Sequence, residues 1–233
     1  MLHGAIGSSV QLEPLADLLT DTFKVSLLNF SGHGGKPVSN EKFSIEMFAE
    51  DVLYFIDKSR LEGINVYGYS MGGYVALYIA RHYPGKINKI FTTATKFNWN
   101  ESTSVKESKL LNPEKISEKI PKFAEQLSER HSPEDWKIVL NKTAEMMIEL
   151  GKNKTLKDED FSHIENDVLV SVGDRDNMVT IEETVDVYRK LKKGSLLIFP
   201  DTQHPIEKIN AERLANEIKI FYNNENDNLQ RKS

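Results

Sequence analysis

The chain has 233 residues, enough for one sizeable core with an inserted subdomain, and its 39% hydrophobic and 28% charged content is that of an ordinary soluble globular protein. The net charge of -5 gives no electrostatic reason for a nucleic acid or an anionic membrane surface as partner. There is no cysteine, which excludes disulfides and thiolate chemistry, and no apolar run is long enough to cross a bilayer.

No basic region precedes an apolar stretch at the start, so no signal peptide is expected and the cytoplasm is the expected location. Leu2 reads as the last residue of a strand whose beginning is missing. His3-Gly4-Ala5-Ile6-Gly7 is a loop, and Ser8 or Ser9 is a candidate cap for a helix with Leu12, Leu15 and Leu19 on one face. Lys24 to Phe30 reads as a buried strand ending in the glycine-rich loop Ser31-Gly32-His33-Gly34-Gly35. A helix follows with Ile45, Phe48, Val52 and Phe55 or Ile56 facing inward.

The short apolar run Ile64 to Tyr67 then leads into Gly68-Tyr69-Ser70-Met71-Gly72, and a helix-like run leads out from Tyr74 to Tyr83. A strand that turns straight into a helix bends sharply, and the glycines provide the room. The central serine is held in a strained backbone with its hydroxyl clear of the sheet. The new helix aims its free N–H groups back at that point, where an oxygen nucleophile builds up an anion.

Lys89 to Thr95 is the next strand, after which the alternation of strand and helix stops. From Phe97 to about Asp160 only helical patterns occur. One runs through Ile116, Ile120, Phe123 and Leu127, the next through Trp136, Leu140, Ala144, Met147 and Leu150, and Pro113 and Pro133 sit where helices are expected to begin. This stretch reads as an inserted helical lid, its apolar stripe chiefly lid core with some residues doubling as substrate wall. The alternation resumes with a strand at Asp167 to Gly173 and a polar loop, Asp174-Arg175-Asp176-Asn177. A Thr180 and Glu183 capping box, a strand at Ser195 to Phe199, the loop around His204 and a last helix through Leu214, Ile218 and Phe221 complete the chain. Strands alternating with amphipathic helices indicate a parallel sheet covered on both faces.

Four stretches in this order carry a family likeness: His3-Gly4, Gly32-His33-Gly34, the Gly68 to Gly72 elbow, and Gly173-Asp174-Arg175-Asp176 with the His204 loop behind it. Over nearly its whole length the chain resembles the α/β-hydrolase superfamily, in its serine-nucleophile, lid-containing branch. The resemblance implies a mostly parallel, doubly wound sheet of about six strands, trimmed at its N-terminal edge or begun upstream of Met1, since the family has two further strands before the His-Gly strand. The helical stretch sets a lid of residues 97–160 within a core of residues 1–96 and 161–222, and the polar composition of residues 223–233 reads as a disordered tail.

By the same resemblance Ser70 is the nucleophile, Asp176 the acid and His204 the base. The oxyanion is held by the backbone amides of Ala5 and Met71. The chemistry requires these types: an imidazole takes the serine proton, a carboxylate fixes the imidazole tautomer and stabilises its cation, and two amides bind the tetrahedral oxyanion. Triad logic alone does not choose between Asp174 and Asp176; family spacing favours Asp176. Among the other histidines, His3 and His33 are read as loop supports, and His82, His131 and His163 as surface residues. There is no H-E-x-x-H, no P-loop and no G-x-G-x-x-G, so neither a metal nor a nucleotide cofactor is expected. A serine at the elbow also excludes the branches that need an aspartate there.

The expected activity is cleavage of a small or medium carboxylic ester, or a thioester, by an acyl-enzyme route, with a small-molecule substrate and no cofactor. The alternatives on the same fold are a C–C bond hydrolase or a lyase like the menaquinone-pathway synthase, and a non-catalytic ligand receptor.

Overall fold

The computed structural model describes residues 1–223. Its centre is a parallel sheet of four strands in the order β1-β2-β3-β4: β1 (Ile64–Tyr69), β2 (Ile87–Thr93), β3 (Asp167–Gly173) and β4 (Gly194–Phe199). Pairing aligns Val66 with Ile90, Ile90 with Val168, and Val168 with Gly194. The sheet continues beyond β1 through isolated parallel bridges, Leu2 with Gly68 and Leu2 with Leu28. Counting those two single-residue segments, six chain segments lie side by side.

The expected strand from Lys24 to Phe30 is therefore reduced to one bridge at Leu28. Leu2 is bridged on both sides, to Leu28 and to Gly68. In chain order the segments run second, first, third, fourth, fifth, sixth. The direction of winding reverses between Leu2 and β1, and such a switch point opens a crevice at the strand ends.

Successive side chains on the strands point to opposite faces. Val66, Ile90, Val168 and Val170 join one buried cluster with α2 (Ile45–Lys58) and α3 (Met71–His82). Tyr67, Phe91, Leu169 and Phe199 join a second with α1 (Glu13–Asp17) and α10 (Ala211–Asn223). Fully burying one such apolar side chain contributes about 1.5–3 kcal/mol. α2 follows from its sequence directly: Ser44 caps it by accepting from the Met47 amide at 3.1 Å, and Ile45, Phe48, Ala49, Val52 and Ile56 form the buried stripe. β2 ends two residues earlier than the apolar run suggests, because Ala94 turns to φ 55°.

Between β2 and β3 the chain forms α4 (Glu101–Ser108), α5 (Pro113–Lys119), α6 (Pro121–His131), α7 (Trp136–Lys152) and α8 (Asp158–Phe161). The stripe from Ile116 to Leu127 spans two helices, not one. Pro121 lacks the N–H to continue α5 and instead opens α6, leaving Ile120 at the break and exposed. Pro133 does not begin a helix; α7 starts at Trp136 under an Asp135 cap. Val139, Met146, Met147 and Leu150 of α7 join the cluster beneath α2 and α3. Ile116, Leu127, Trp136 and Leu140 form a separate cluster within the helical segment.

α9 (Ile181–Lys190) opens on the expected Thr180–Glu183 capping box. α10 ends at Asn223, and the expected tail beyond it lies outside the described residues. Among the described residues no helix is long and apolar enough to cross a membrane.

Candidate active site

Ser70 joins β1 to α3 with φ 51° and ψ -117°, a region that L-residues rarely occupy. The neighbours hold it there. The Ser70 amide donates to Thr93 O at 2.8 Å, and its carbonyl accepts from Gly73 N at 3.0 Å and Thr95 Oγ1 at 3.0 Å. The crossing leaves no space for side chains. A Cβ on Gly68 would stand 2.5 Å from Gly72 O, and one on Gly72 would stand 2.4 Å from Leu2 O. The elbow thus packs α3 directly against the backbone of the first sheet segment.

Asp176 lies on the loop after β3 and His204 on the loop after β4. His204 Nδ1 is 2.8 Å from Asp176 Oδ2, and the aspartate side chain is fully buried. The other carboxylate oxygen accepts from the amides of Met178 and Val179, each at 2.8 Å. Three contacts leave the carboxylate one orientation. Asp174 is turned elsewhere: its Oδ1 accepts from the Thr202 amide at 3.2 Å. The hydroxyl of Tyr69 donates to His204 O at 2.9 Å, tying the histidine loop to the residue before Ser70.

Ser70 and His204 line one cavity of about 850 Å³, together with Ala5, Ile6, Phe123, Arg130 and Met178 among others. A second cavity of about 30 Å³, room for about one water, touches Ser70, Met71, Ala5 and Trp99. Ala5 and Met71 therefore both border the space around Ser70. Among the described residues no protein acceptor takes either amide hydrogen. Met71 is the first residue of α3, whose amides have no acceptor within the helix.

The loops carrying Ala5 and Gly34 rest on histidines. His3 accepts from the Phe30 amide through Nε2 at 3.2 Å, so its hydrogen is on Nδ1, 2.7 Å from Gly4 O. His131 accepts from the Gly34 amide through Nδ1 at 3.2 Å and presents Nε2 to Ile6 O at 3.1 Å. His33 Nδ1 lies 3.1 Å from Ser31 O. Ring centroids stand 5.3 Å apart for His3 and His33 and 5.7 Å for His33 and His131. Burial disfavours the imidazolium in all three: it lowers His3 to about 3 and His131 to about 4, and holds His33 well below its usual range.

His131 is thus not a surface residue; it is fully buried at the end of α6, whereas His82 and His163 are exposed. Sequence reading missed it, and it missed Arg130 and Tyr69. A histidine at a helix end carries no local sign of what it meets more than ninety residues away.

A second buried contact supports the loop that carries Asp176. Lys96 Nζ donates to Met178 O at 2.9 Å and lies 3.7 Å from Glu183 Oε2. Glu183 Oε1 accepts from the Phe97 amide at 2.9 Å and the Asn98 amide at 3.2 Å. The loop after β2 is thereby fastened to the loop that holds Asp176.

A pimeloyl-[acyl-carrier protein] methyl ester esterase of Neisseria meningitidis (serogroup C / serotype 2a) is 33% identical over 95 residues, which are 41% of this chain and 35% of that protein. The matched stretch is thus about a third of that relative's length. Among solved structures, a hydrolase from Pseudomonas aeruginosa superposes with a TM-score of 0.76 at 16% identity, covering 95% of this chain and 88% of the other. A thermophilic esterase from Thermogutta terrifontis superposes with a TM-score of 0.74 at 22% identity, covering 95% of this chain and 87% of the other. At these identities the superpositions establish the fold. The family model described as alpha/beta hydrolase fold matches residues 1–129, more than half of the sequence. With the sheet order, the elbow at Ser70 and these likenesses together, the chain belongs to the α/β-hydrolase family.

Proposed function

We propose that this protein is a serine hydrolase that cleaves a small or medium carboxylic ester, or a thioester, through an acyl-enzyme intermediate. Ser70 attacks the carbonyl carbon, His204 takes the hydroxyl proton and returns it to the leaving alcohol, and Asp176 orients His204. The amides of Ala5 and Met71 hold the oxyanion, where each donor typically contributes about 3–4 kcal/mol to lowering the barrier. Water then enters by the same route and releases the acid. The observation that carries this reading is the 2.8 Å contact of His204 Nδ1 with a buried, triply held Asp176, on a cavity shared with the strained Ser70. The resemblance of part of the chain to a methyl ester esterase supports it.

The helices between β2 and β3, in residues 97–160, act as a lid on the core of residues 1–96 and 161–222. Phe123 and Met147 of that segment line the large cavity, which supports the assignment. The broad cavity takes the larger part of the substrate, and the small one admits little more than a methyl group. The working location is the cytoplasm, in keeping with a chain that has no cysteine.

The test is hydrolysis of p-nitrophenyl esters from acetate to decanoate by wild type and Ser70→Ala. Turnover that disappears in the variant supports the nucleophile, and the profile over chain length measures the cavity. Turnover equal in both proteins refutes the assignment. A wild type inert to the whole series, yet active on a β-diketone, points to C–C bond cleavage instead.

A further inference from the structure

Ile6 has φ 52°, in the left-handed region, where a β-branched side chain crowds its own backbone. It occupies the third position of a turn closed by Gly7 N donating to Gly4 O at 3.1 Å. Glycine or asparagine is the usual occupant there. An isoleucine stays in that form only when its surroundings over-determine it.

The surroundings are the C-terminal end of α6. Arg130 Nη1 donates to Ile6 O at 3.1 Å, and His131 Nε2 lies 3.1 Å from the same oxygen. Because His131 Nδ1 accepts from Gly34 N, the hydrogen of the neutral ring is on Nε2, directed at Ile6 O. Both lone pairs of that carbonyl are taken. The residue before it is Ala5, whose amide has no protein acceptor among the described residues and borders the Ser70 cavity. On its near side the turn is anchored at Leu2, whose amide donates to Tyr67 O and whose carbonyl accepts from Tyr69 N at 2.9 Å each, and at Gly4 O, 2.7 Å from His3 Nδ1; its far side, at the Ile6 carbonyl, is the part held by α6.

We propose that Arg130 and His131 are positioning residues for the oxyanion site: by gripping the Ile6 carbonyl they hold the Gly4–Gly7 turn in the form that presents the Ala5 amide to Ser70. The inference rests on the reading of Ser70 as nucleophile and Ala5 as oxyanion donor. Its consequence is that the donor pair is complete only while α6 is docked, which couples the helical segment to the chemistry as well as to the cavity wall.

The experiment compares Arg130→Ala, Arg130→Lys, His131→Asn and Ile6→Gly, singly and with Ile6→Gly added to each of the others. Two quantities are read: amide hydrogen exchange of the peptide covering residues 1–12, and kcat and KM on the best p-nitrophenyl ester. Arg130→Ala and His131→Asn are expected to speed exchange at Gly7, whose amide closes the turn on Gly4 O. They are expected to lower kcat by about 10- to 100-fold, short of the loss of a whole donor, with KM changed by less than about threefold, as befits an interaction made chiefly in the transition state. Arg130→Lys restores part of the rate, because an ammonium still donates. Ile6→Gly restores part of it in the Arg130→Ala background, because glycine takes positive φ unaided; a residue that only stabilised the fold or bound substrate would not be rescued in this way. Unchanged exchange in both variants overturns the proposal, as does a kcat defect that Ile6→Gly leaves untouched. If buried His131 does not tolerate replacement, the Arg130 series carries the test, since that side chain is only partly buried. Turnover independent of Ser70 would refute the hydrolase reading, while the exchange data would still judge the grip on Ile6.

Discussion

Asp176 meets His204 at 2.8 Å, whereas Asp174, two residues earlier on the same loop, spends its carboxylate on the Thr202 amide at 3.2 Å. Both face the same end of the sheet, but their different partners predict different behaviour. Asp176→Asn is expected to lower kcat by roughly 10⁴-fold with a folded protein, because an amide no longer enforces the imidazole tautomer that accepts the serine proton. Asp174→Asn is expected to cost about 1 kcal/mol of stability and to leave kcat within a few-fold. Steady-state kinetics on one ester, beside a urea titration, decide between them. The reverse pattern would move the acid role to Asp174.

The three buried histidines predict acid sensitivity well above the carboxylate range. His3, His33 and His131 take protons at about 6.5 in the unfolded chain and only at lower pH when folded, at about 3 for His3 and about 4 for His131. Between those values the unfolded state binds more protons, so stability rises with pH; it is complete above 6.5 and is lost as pH falls towards 4. Each histidine contributes up to about 1.4 kcal/mol per pH unit in that window. Charges from Arg130 and Lys36 oppose protonation of His3 in the same sense. Urea midpoints measured from pH 7 to pH 5 should fall steadily in wild type and less steeply in His131→Asn. A flat profile over that range would show that the rings are not held neutral by the fold.

Lys96 and Glu183 predict a large stability effect from a residue outside the proposed triad. Both side chains are 7% exposed, and removing one partner of a buried pair leaves a charge without its counter-ion. Lys96→Met is expected to lose about 3 kcal/mol and to reduce kcat as well, since Met178, whose carbonyl Lys96 holds, also donates its amide to Asp176. Chemical denaturation measures the first effect. A loss below about 0.5 kcal/mol would place the pair in the class that water already screens.

Gly72→Ala tests the elbow crossing. The added methyl group would stand 2.4 Å from the Leu2 carbonyl oxygen, and that is backbone with no rotamer to yield. Overpacking of this kind costs about 1–3 kcal/mol. The displaced strand is the one that leads into Ala5, so the ester rate should fall along with the melting temperature. A variant with wild-type melting would mean that the first sheet segment yields freely.

What the sequence alone determined was chiefly what has an unbroken local pattern. The stripe of Ile45, Phe48, Val52 and Ile56 predicts α2, and the run Asp167 to Gly173 is β3 to the residue. Gly68-x-Ser70-x-Gly72 marks the strand-to-helix bend because only small residues survive contacts of 2.5 Å and below. These are short-range constraints, written where they act.

What only the tertiary structure decided was the partner of each polar group. Nothing in Lys24 to Phe30 shows that its pairing with the segment at Leu2 is a single bridge. Nothing local separates the contacts of Asp174 from those of Asp176. His131 is the plainest case: at a helix end it reads as solvated, yet it is fully buried between Ile6 O and the Gly34 amide. A hydrogen bond between residues 125 positions apart leaves no periodicity in the sequence, because its geometry exists only once the sheet and the helices between β2 and β3 have come together.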